Sequence, residues 1–439
     1  MKTRGQHTLH AWMNGLYVGF WQFSPRSGHA FEYSAAWLDS PFCRPISLSL
    51  PLRDAKDPWR GERVRTYFEN LLPQSEQVRQ RMCLSFGAAS TSCFDLLGVV
   101  GHDCPGALQL TRGCEPLPGG GLGEPLSDAD IEHLLDDLDQ RGGLAPIATD
   151  GIRAALGGTR PKLALLKHAG RFYRPATGGV SSHILCLPTL LHADSGFALT
   201  HSLENAWLCR QVAAAFGVGR GLGELRQFGS HKVLIVERED RRLDPDRQRV
   251  LCLPGEDLCQ AFGLRPEQKY QIHGAPGLPR IAHLLLGSHQ PAQDRLALLR
   301  TALVFWLLCA FDGHAKKFNI ELSAQGRFTL GVPHGVLSAY PLLGRVQDKL
   351  SPDRIRMALG LDASGVPELW QGIGPGQWLD CARRCAVSSD EMATLMTEVA
   401  AQALQVSATL RKRLPAGFPV AVSEPVLQGI VHGAHRLRV

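Results

Sequence analysis

One stretch limits the architecture more than any other: the apolar run TALVFWLLCA, Thr301 to Ala310, followed at once by FDGHAKKFNI, Phe311 to Ile320. The run is long enough for a buried helix but too short for a membrane span, which takes about 20 apolar residues. Its end delivers Asp312, His314, Lys316 and Lys317 together to the place where a buried segment reaches the surface. A solvated turn after a core helix has the same residue types, so the pattern alone decides nothing. The rest of the chain has to carry the argument.

At 439 residues the chain holds two to three domains and buries substantial cores. With 44% hydrophobic and 20% charged residues it has the composition of an ordinary globular protein, which excludes wholesale disorder. A formal charge of +6 permits an anionic partner without demanding one. The twelve cysteines are scattered, and no His/Cys group has zinc spacing. Cys381 and Cys385, one helical turn apart, read as two buried thiols, so no metal site is expected from them. No N-terminal apolar segment of signal-peptide type and no run of 18 apolar residues appears, so neither export nor a membrane partner is expected. Many unpaired cysteines fit a reducing cytoplasm.

Taken in order, residues 1–111 read as a mixed α/β region. Leu9 to Phe23 has strand-type residues around an Asn14-Gly15 hairpin turn. RPISLSLPL, Arg44 to Leu52, alternates as a half-buried strand would. Two helices separated by Pro73 follow, and Phe94 to Leu110 reads as a short helix, a Gly-rich turn and a strand. The Gly- and Pro-rich segment 112–126 reads as a linker. Ser127 then caps an amphipathic helix. Within 127–255 a Gly157-Gly158 turn feeds a strand Lys162–Lys167, followed by a strand in Ser181–Pro188, a helix stopped at Gly217, and a strand Lys232–Asp240. From 256 to 439 the spacing is helical apart from a hairpin, Gly326 to Gly335. The expected class is α+β.

RPISLSLPL, FENLLP, FDLLGVVGHDCPGAL, GEDLCQAFGL, QKYQIHGAPG, DGHAKKF and VLSAYPLLG occur in that order along the chain. Each is weakly specific, but the series resembles the HipA family, kinase-fold toxins of bacterial type II toxin–antitoxin modules. The resemblance implies a small N-terminal region and a two-lobed protein-kinase-like body with a mixed first lobe and an all-α second lobe. It also implies a small HipB-like helix-turn-helix antitoxin as partner and operator DNA held through that complex. Active members phosphorylate a protein serine or threonine with ATP and magnesium, one target being glutamyl-tRNA synthetase.

Carried over position by position, the resemblance makes Asp312 the catalytic base, with His314 and Lys316 in the pattern behind it. Gln260 stands where the family contacts nucleotide or supports the cleft. Other positions depart from the family. Cys186 replaces the lysine that holds the phosphates, and Ala206 replaces its glutamate partner. Lys317 replaces a metal-binding asparagine, and Gly335 a magnesium-chelating aspartate. Ala155 replaces the autophosphorylated serine. Removing one preorganised charge-stabilising group costs roughly 10²–10³ in rate, and here four are missing. The expectation is a pseudokinase that acts by binding and holds no cofactor tightly. The alternative is an active kinase toxin, using ATP and Mg²⁺, with Lys162 or Lys167 as a relocated lysine.

Overall fold

The computed structural model describes residues 7–116, 121–140, 161–176, 178–189, 199–220, 223–244, 249–344 and 349–438. They divide into two compact units: 1–187 with 226–266 and 321–327, and 188–225 with 267–320 and 328–439. Each is discontinuous in sequence.

The first unit starts with the hairpin β1 (His7–Met13) and β2 (Leu16–Ser24). Asn14 and Gly15 both take positive φ, 49° and 84°, as a two-residue turn matching strand twist requires. With β3 (Gly28–Tyr33), β4 (Trp59–Arg60) and β5 (Leu108–Thr111) they form a five-stranded sheet in the order β4-β3-β2-β1-β5. Four helices accompany it: α1 (Ala35–Leu38), α2 (Glu62–Glu69), α3 (Glu76–Phe86) and α4 (Cys93–Val100). Pro73 falls between α2 and α3, where the sequence places the break. Trp21 on β2 stacks face to face on Phe68 of α2, centroids 3.7 Å apart, at the centre of this core.

Arg44 to Leu52 is not a strand. Its only ladder-type pair is an isolated bridge between Ser47 and Leu50. The backbone amides go to side chains instead: Ile46 N–H to Tyr33 Oη at 2.9 Å, Leu48 N–H to Glu256 Oε1 at 2.7 Å, and Ser49 N–H to Ser47 Oγ at 3.0 Å. Side-chain acceptors thus replace the neighbouring strand that alternation alone implied.

A second, six-stranded sheet contains β6 (Glu124–Leu126), β7 (Lys162–His168), β8 (Arg171–Arg174), β9 (His183–Cys186), β10 (Glu224–Phe228) and β11 (His231–Glu237), ordered β10-β11-β9-β7-β8-β6. The end of the expected linker is therefore an edge strand, because Glu124 to Leu126 pair with β8. α5 (Asp128–Gln140), capped by Ser127 Oγ, covers one face with Ile131, Leu134, Leu135 and Leu138 on Leu163, Leu165, Leu185 and Ile235. Gly157-Gly158 and Ala155 lie outside the described residues.

Between β9 and β10 runs α6 (Ser202–Ala215), which ends before Gly217 as expected but belongs to the second unit rather than to the nucleotide-type lobe. The first unit closes with the antiparallel pair β12 (Arg241–Asp244) and β13 (Arg249–Cys252), then β14 (Gly255–Asp257) and α7 (Leu258–Ala261). The boundary expected at residue 255 therefore falls later.

Buried charge braces the first unit. Asp103, in the turn after α4, accepts from Arg238 Nη1 at 2.9 Å and Arg241 Nη2 at 2.8 Å, and its other oxygen accepts from Ser181 Oγ at 2.7 Å. Asp240 Oδ2 lies 3.0 Å from Arg238 Nη2 and 2.9 Å from Arg241 Nη1, and the carbonyls of Cys104 and Gly106 accept from the same guanidiniums. All five residues contact across three segments far apart in sequence. Although burial opposes charge on both acids, the two guanidiniums hold Asp103 and Asp240 below the usual carboxylate range.

The second unit is helical: α6, α8 (Leu278–Leu285), α9 (Pro291–Leu307), α10 (Pro375–Arg384), α11 (Ser389–Arg413) and α12 (Val420–Arg436). α9 is buried on every face from Thr301 to Leu307, as its sequence requires. α12 approaches it closely at Gly433, where a Cβ would stand 2.7 Å from Leu307 Cδ2. At Gly429 a Cβ would stand 2.3 Å from the Tyr340 ring, so only glycine fits. The strand β16 (Phe328–Leu330) falls within the expected hairpin, but its neighbour in the sheet is the preceding strand β15 (Asn319–Leu322). The second half of the expected hairpin Gly326 to Gly335 is not a strand: residues 331–338 carry none, and Gly331 N–H turns back to Asn319 O at 2.8 Å. Among the described residues no helix is long and apolar enough to cross a membrane. Cys381 in α10 and Cys385 at its C-terminal cap are buried thiols, sulfurs 3.9 Å apart.

Candidate functional site

α9 hands its buried end to a tight loop. Ala310 N–H bonds Phe305 O at 2.8 Å, and Gly313 N–H bonds Ala310 O at 3.0 Å. A Cβ on Gly313 would lie 2.8 Å from Phe305 Cδ2, so the loop folds back on the helix only with glycine there. A single 3-10 turn, Ala315–Lys317, completes it. The loop thus carries Asp312, His314, Lys316 and Lys317 within six residues, the first two buried and the two lysines half-buried.

Asp312 is 6% exposed and has both oxygens engaged. Oδ1 accepts from Leu337 N–H at 2.8 Å, and Oδ2 lies 3.3 Å from Lys317 Nζ. The same ammonium donates to Gly335 O at 2.7 Å, while His334 N–H donates to Lys317 O at 2.7 Å. The structure therefore brings Asp312, Lys317 and Gly335 together.

His314 is buried, with its ring edge-on to Tyr270, centroids 5.0 Å apart, and its Nδ1 without a hydrogen-bond partner. Burial, reinforced by the nearby cations Lys317, Lys269 and Lys316, holds its pKa well below the ordinary 6.5. A neutral imidazole brings no positive charge to a phosphate. Lys316 is half-buried in the same turn.

Ala206 is buried in α6 and offers no carboxylate. Glu204, two residues earlier, faces His201 at 4.0 Å. Between them Asn205, which sequence reasoning passed over, holds Ser338 from both sides: Nδ2 donates to Ser338 O at 2.8 Å, and Ser338 N–H donates to Oδ1 at 2.9 Å. A buried asparagine beside the changed glutamate position was the available signal. It fixes the segment that carries Gly335 and Leu337.

In the first unit, Cys186 on β9 stands directly opposite Lys162 on β7. Cross-strand partners share a face, and this is the face away from α5, with Ala164 and Ile184. Lys167 has the other parity, and its ammonium lies 5.2 Å above the Phe172 ring. Only Lys162 of the two candidates shares a face with Cys186. Gln260 is buried in a capping box: its Oε1 accepts from Asp257 N–H at 3.1 Å and its N–H donates to Asp257 Oδ1 at 3.0 Å. Its side-chain oxygen caps the start of α7.

These residues do not fit a magnesium ion. A hard divalent cation takes several oxygen ligands, usually including carboxylates. Here one Asp312 oxygen already faces an ammonium, and position 335 provides only a carbonyl. Among the described residues no group of three or more His, Cys, Asp or Glu side chains is placed to hold a metal.

Comparison with known proteins gives the family. Residues 9–111 match the HipA N-terminal domain, and residues 154–407 the HipA-like C-terminal domain. "Putative kinase Y4mE" of Sinorhizobium fredii (strain NBRC 101917 / NGR234) is 33% identical over 376 residues, covering 84% of this chain and 86% of that protein. The serine/threonine-protein kinase toxin HipA of Shewanella oneidensis is 25% identical over 340 residues, covering 74% of each. The fold matches a solved Shewanella oneidensis toxin–antitoxin complex of HipA, HipB and operator DNA with a TM-score of 0.77 at 20% identity, covering 98% of this chain and 97% of that one. The two matched domains span most of a chain with this α+β, kinase-like fold, and it belongs to the HipA family.

Proposed function

We propose that the chain works by binding, as a pseudokinase component of a toxin–antitoxin module that docks a HipB-like helix-turn-helix antitoxin and acts on operator DNA through that complex. The observation that carries this reading is the state of Asp312. A general base needs an oxygen directed at the substrate hydroxyl, and each Asp312 oxygen already has a partner, Leu337 N–H on Oδ1 and the Lys317 ammonium on Oδ2, in a buried position. Cys186 and Ala206 remove the charged pair that would position ATP. The partner assignment draws on the Shewanella complex, whose description names HipB and operator DNA. Titration calorimetry of the purified protein with millimolar ATP is expected to show no magnesium-dependent binding. Co-purification with the helix-turn-helix protein encoded beside it is expected. Phosphate transfer abolished by Asp312→Asn would overturn the reading.

A second reading is favoured by the pairing of Lys162 with Cys186. An ammonium moved one strand over would hold phosphates from the same face, giving an ATP-dependent serine/threonine kinase toxin directed at a translation factor such as an aminoacyl-tRNA synthetase, with any Mg²⁺ held by groups other than Asp312 and Gly335. It predicts growth arrest on expression, lost in Asp312→Asn and in Lys162→Ala. Normal growth of cells expressing the parent chain rejects it.

A further inference from the structure

The loop after α9 ends in a small cradle of oxygens. Asp312 contributes a carboxylate and Gly335 a main-chain carbonyl, and the Lys317 ammonium lies between them, 3.3 Å from Oδ2 and 2.7 Å from the carbonyl. Bonds that do not involve the ammonium converge on the same arrangement. Leu337 N–H fixes the inner carboxylate oxygen, His334 N–H bonds Lys317 O, and Asn205 fixes Ser338 on both sides.

Carboxylate and carbonyl oxygens are the donors a hard cation prefers. Here the cation is covalently part of the chain. A divalent ion entering the same cradle would meet a positive charge within a few ångströms, in a place only partly open to screening by solvent, since the side chains of Lys317 and Asp312 are 21% and 8% exposed. The negative charge on Asp312 also needs a partner, because a buried carboxylate left alone is costly. One ammonium meets both conditions.

We propose that Lys317 is a tethered cation that takes the place of a divalent metal at this position. It neutralises Asp312 and ties residues 334–338 to the loop, and it makes the site indifferent to magnesium. An anionic ligand reaching this loop meets an ammonium instead of a hydrated metal ion. This deepens the binding reading and rests on it only for its biological sense, since the cradle can be tested without any partner.

The test is metal rescue. Lys317→Asn removes the charge and leaves three kinds of oxygen, from Asp312, Gly335 and the new amide. Wild-type protein is expected to melt at the same temperature in EDTA and in millimolar Mg²⁺ or Mn²⁺. Lys317→Asn is expected to melt lower in EDTA and to recover several degrees with either ion, because a ligand that binds only the native state stabilises it. Electron paramagnetic resonance of Mn²⁺ provides the second readout: no bound ion in wild type, and affinity at least about tenfold higher in the variant, a difference of about 1.4 kcal/mol. A folded Lys317→Asn that ignores both metals overturns the proposal. Should that variant not fold, the wild-type spectrum decides: bound Mn²⁺ that disappears in Asp312→Asn overturns the proposal, and its absence upholds it. Failure here leaves antitoxin co-purification untouched, so the two readings are scored separately.

Discussion

Glu256 is a carboxylic acid buried with no cation beside it. Leu48 N–H reaches Oε1 at 2.7 Å, Oε2 has no partner, and burial pushes the pKa up from 4.5 to about 8. A raised folded-state pKa means the protonated form is preferred on folding. The corresponding stability is complete below pH 4.5 and is lost as pH rises to about 8. Glu256→Gln keeps the acceptor for Leu48 but cannot ionise. Relative to wild type, its stability is expected to climb between pH 5 and 8, by on the order of 4 kcal/mol at the upper end. Urea melts at several pH values measure this, and parallel pH curves for the two proteins would contradict it. Residue identities made part of the candidate site readable in advance. Asp312 after an apolar run is visible as letters, and Cys186, Ala206 and Gly335 stand out once the family resemblance supplies charges for comparison. The ion pair with Lys317 and its bond to Gly335 are not, since 18 residues separate the latter two and only the fold brings them together.

At the level of elements, helices and hairpins were legible where a local device sets them. Asn14-Gly15 fixes a turn, Pro73 splits two helices, and Ser127 starts α5. Arg44 to Leu52 misled because burial there follows side-chain acceptors contributed by Tyr33 and Glu256, which no periodicity records. The second hairpin misled similarly: residues 331–338 are positioned by Asp312, Lys317 and Asn205 rather than by a ladder. The packing of α12 gives a direct test. In a free helix alanine is better than glycine by about 1 kcal/mol. At Gly429 the added methyl would stand against the Tyr340 ring, and Tyr340 Oη already donates to Gly429 O at 3.1 Å. Gly429→Ala is therefore expected to destabilise by about 1–3 kcal/mol through overpacking. Chemical denaturation followed by tryptophan fluorescence reads the change, and a stabilised variant would show that the ring moves aside freely.

Over the whole molecule, the α+β class was legible from the order of strand-rich and helix-rich stretches, a two-lobed body was implied only by the family resemblance, and neither showed how each unit returns to the chain. The first draws on three separate segments and the second on three more. Asp103 shows what that requires. It looked like part of a Gly-rich turn, yet it is 2% exposed and neutralises two arginines from the far end of its unit. Asp103→Ala leaves those guanidiniums short of an anion and is expected to cost about 3–5 kcal/mol. Differential scanning calorimetry should show the loss as a lowered transition, and an unchanged thermogram would remove the network from the account of stability.

The same network sets a schedule for synthesis. Arg238 and Arg241 follow Asp103 by 135 and 138 residues. At ribosomal speeds of about 5–20 residues per second, Asp103 waits about 7 to 28 seconds for its partners to be made. Until then the N-terminal sheet is made but unbraced, with a hydrated carboxylate where the mature unit has a dry ion pair. The nascent chain therefore passes through a defined interval of exposure to chaperones and proteases, set by the spacing of three charged residues.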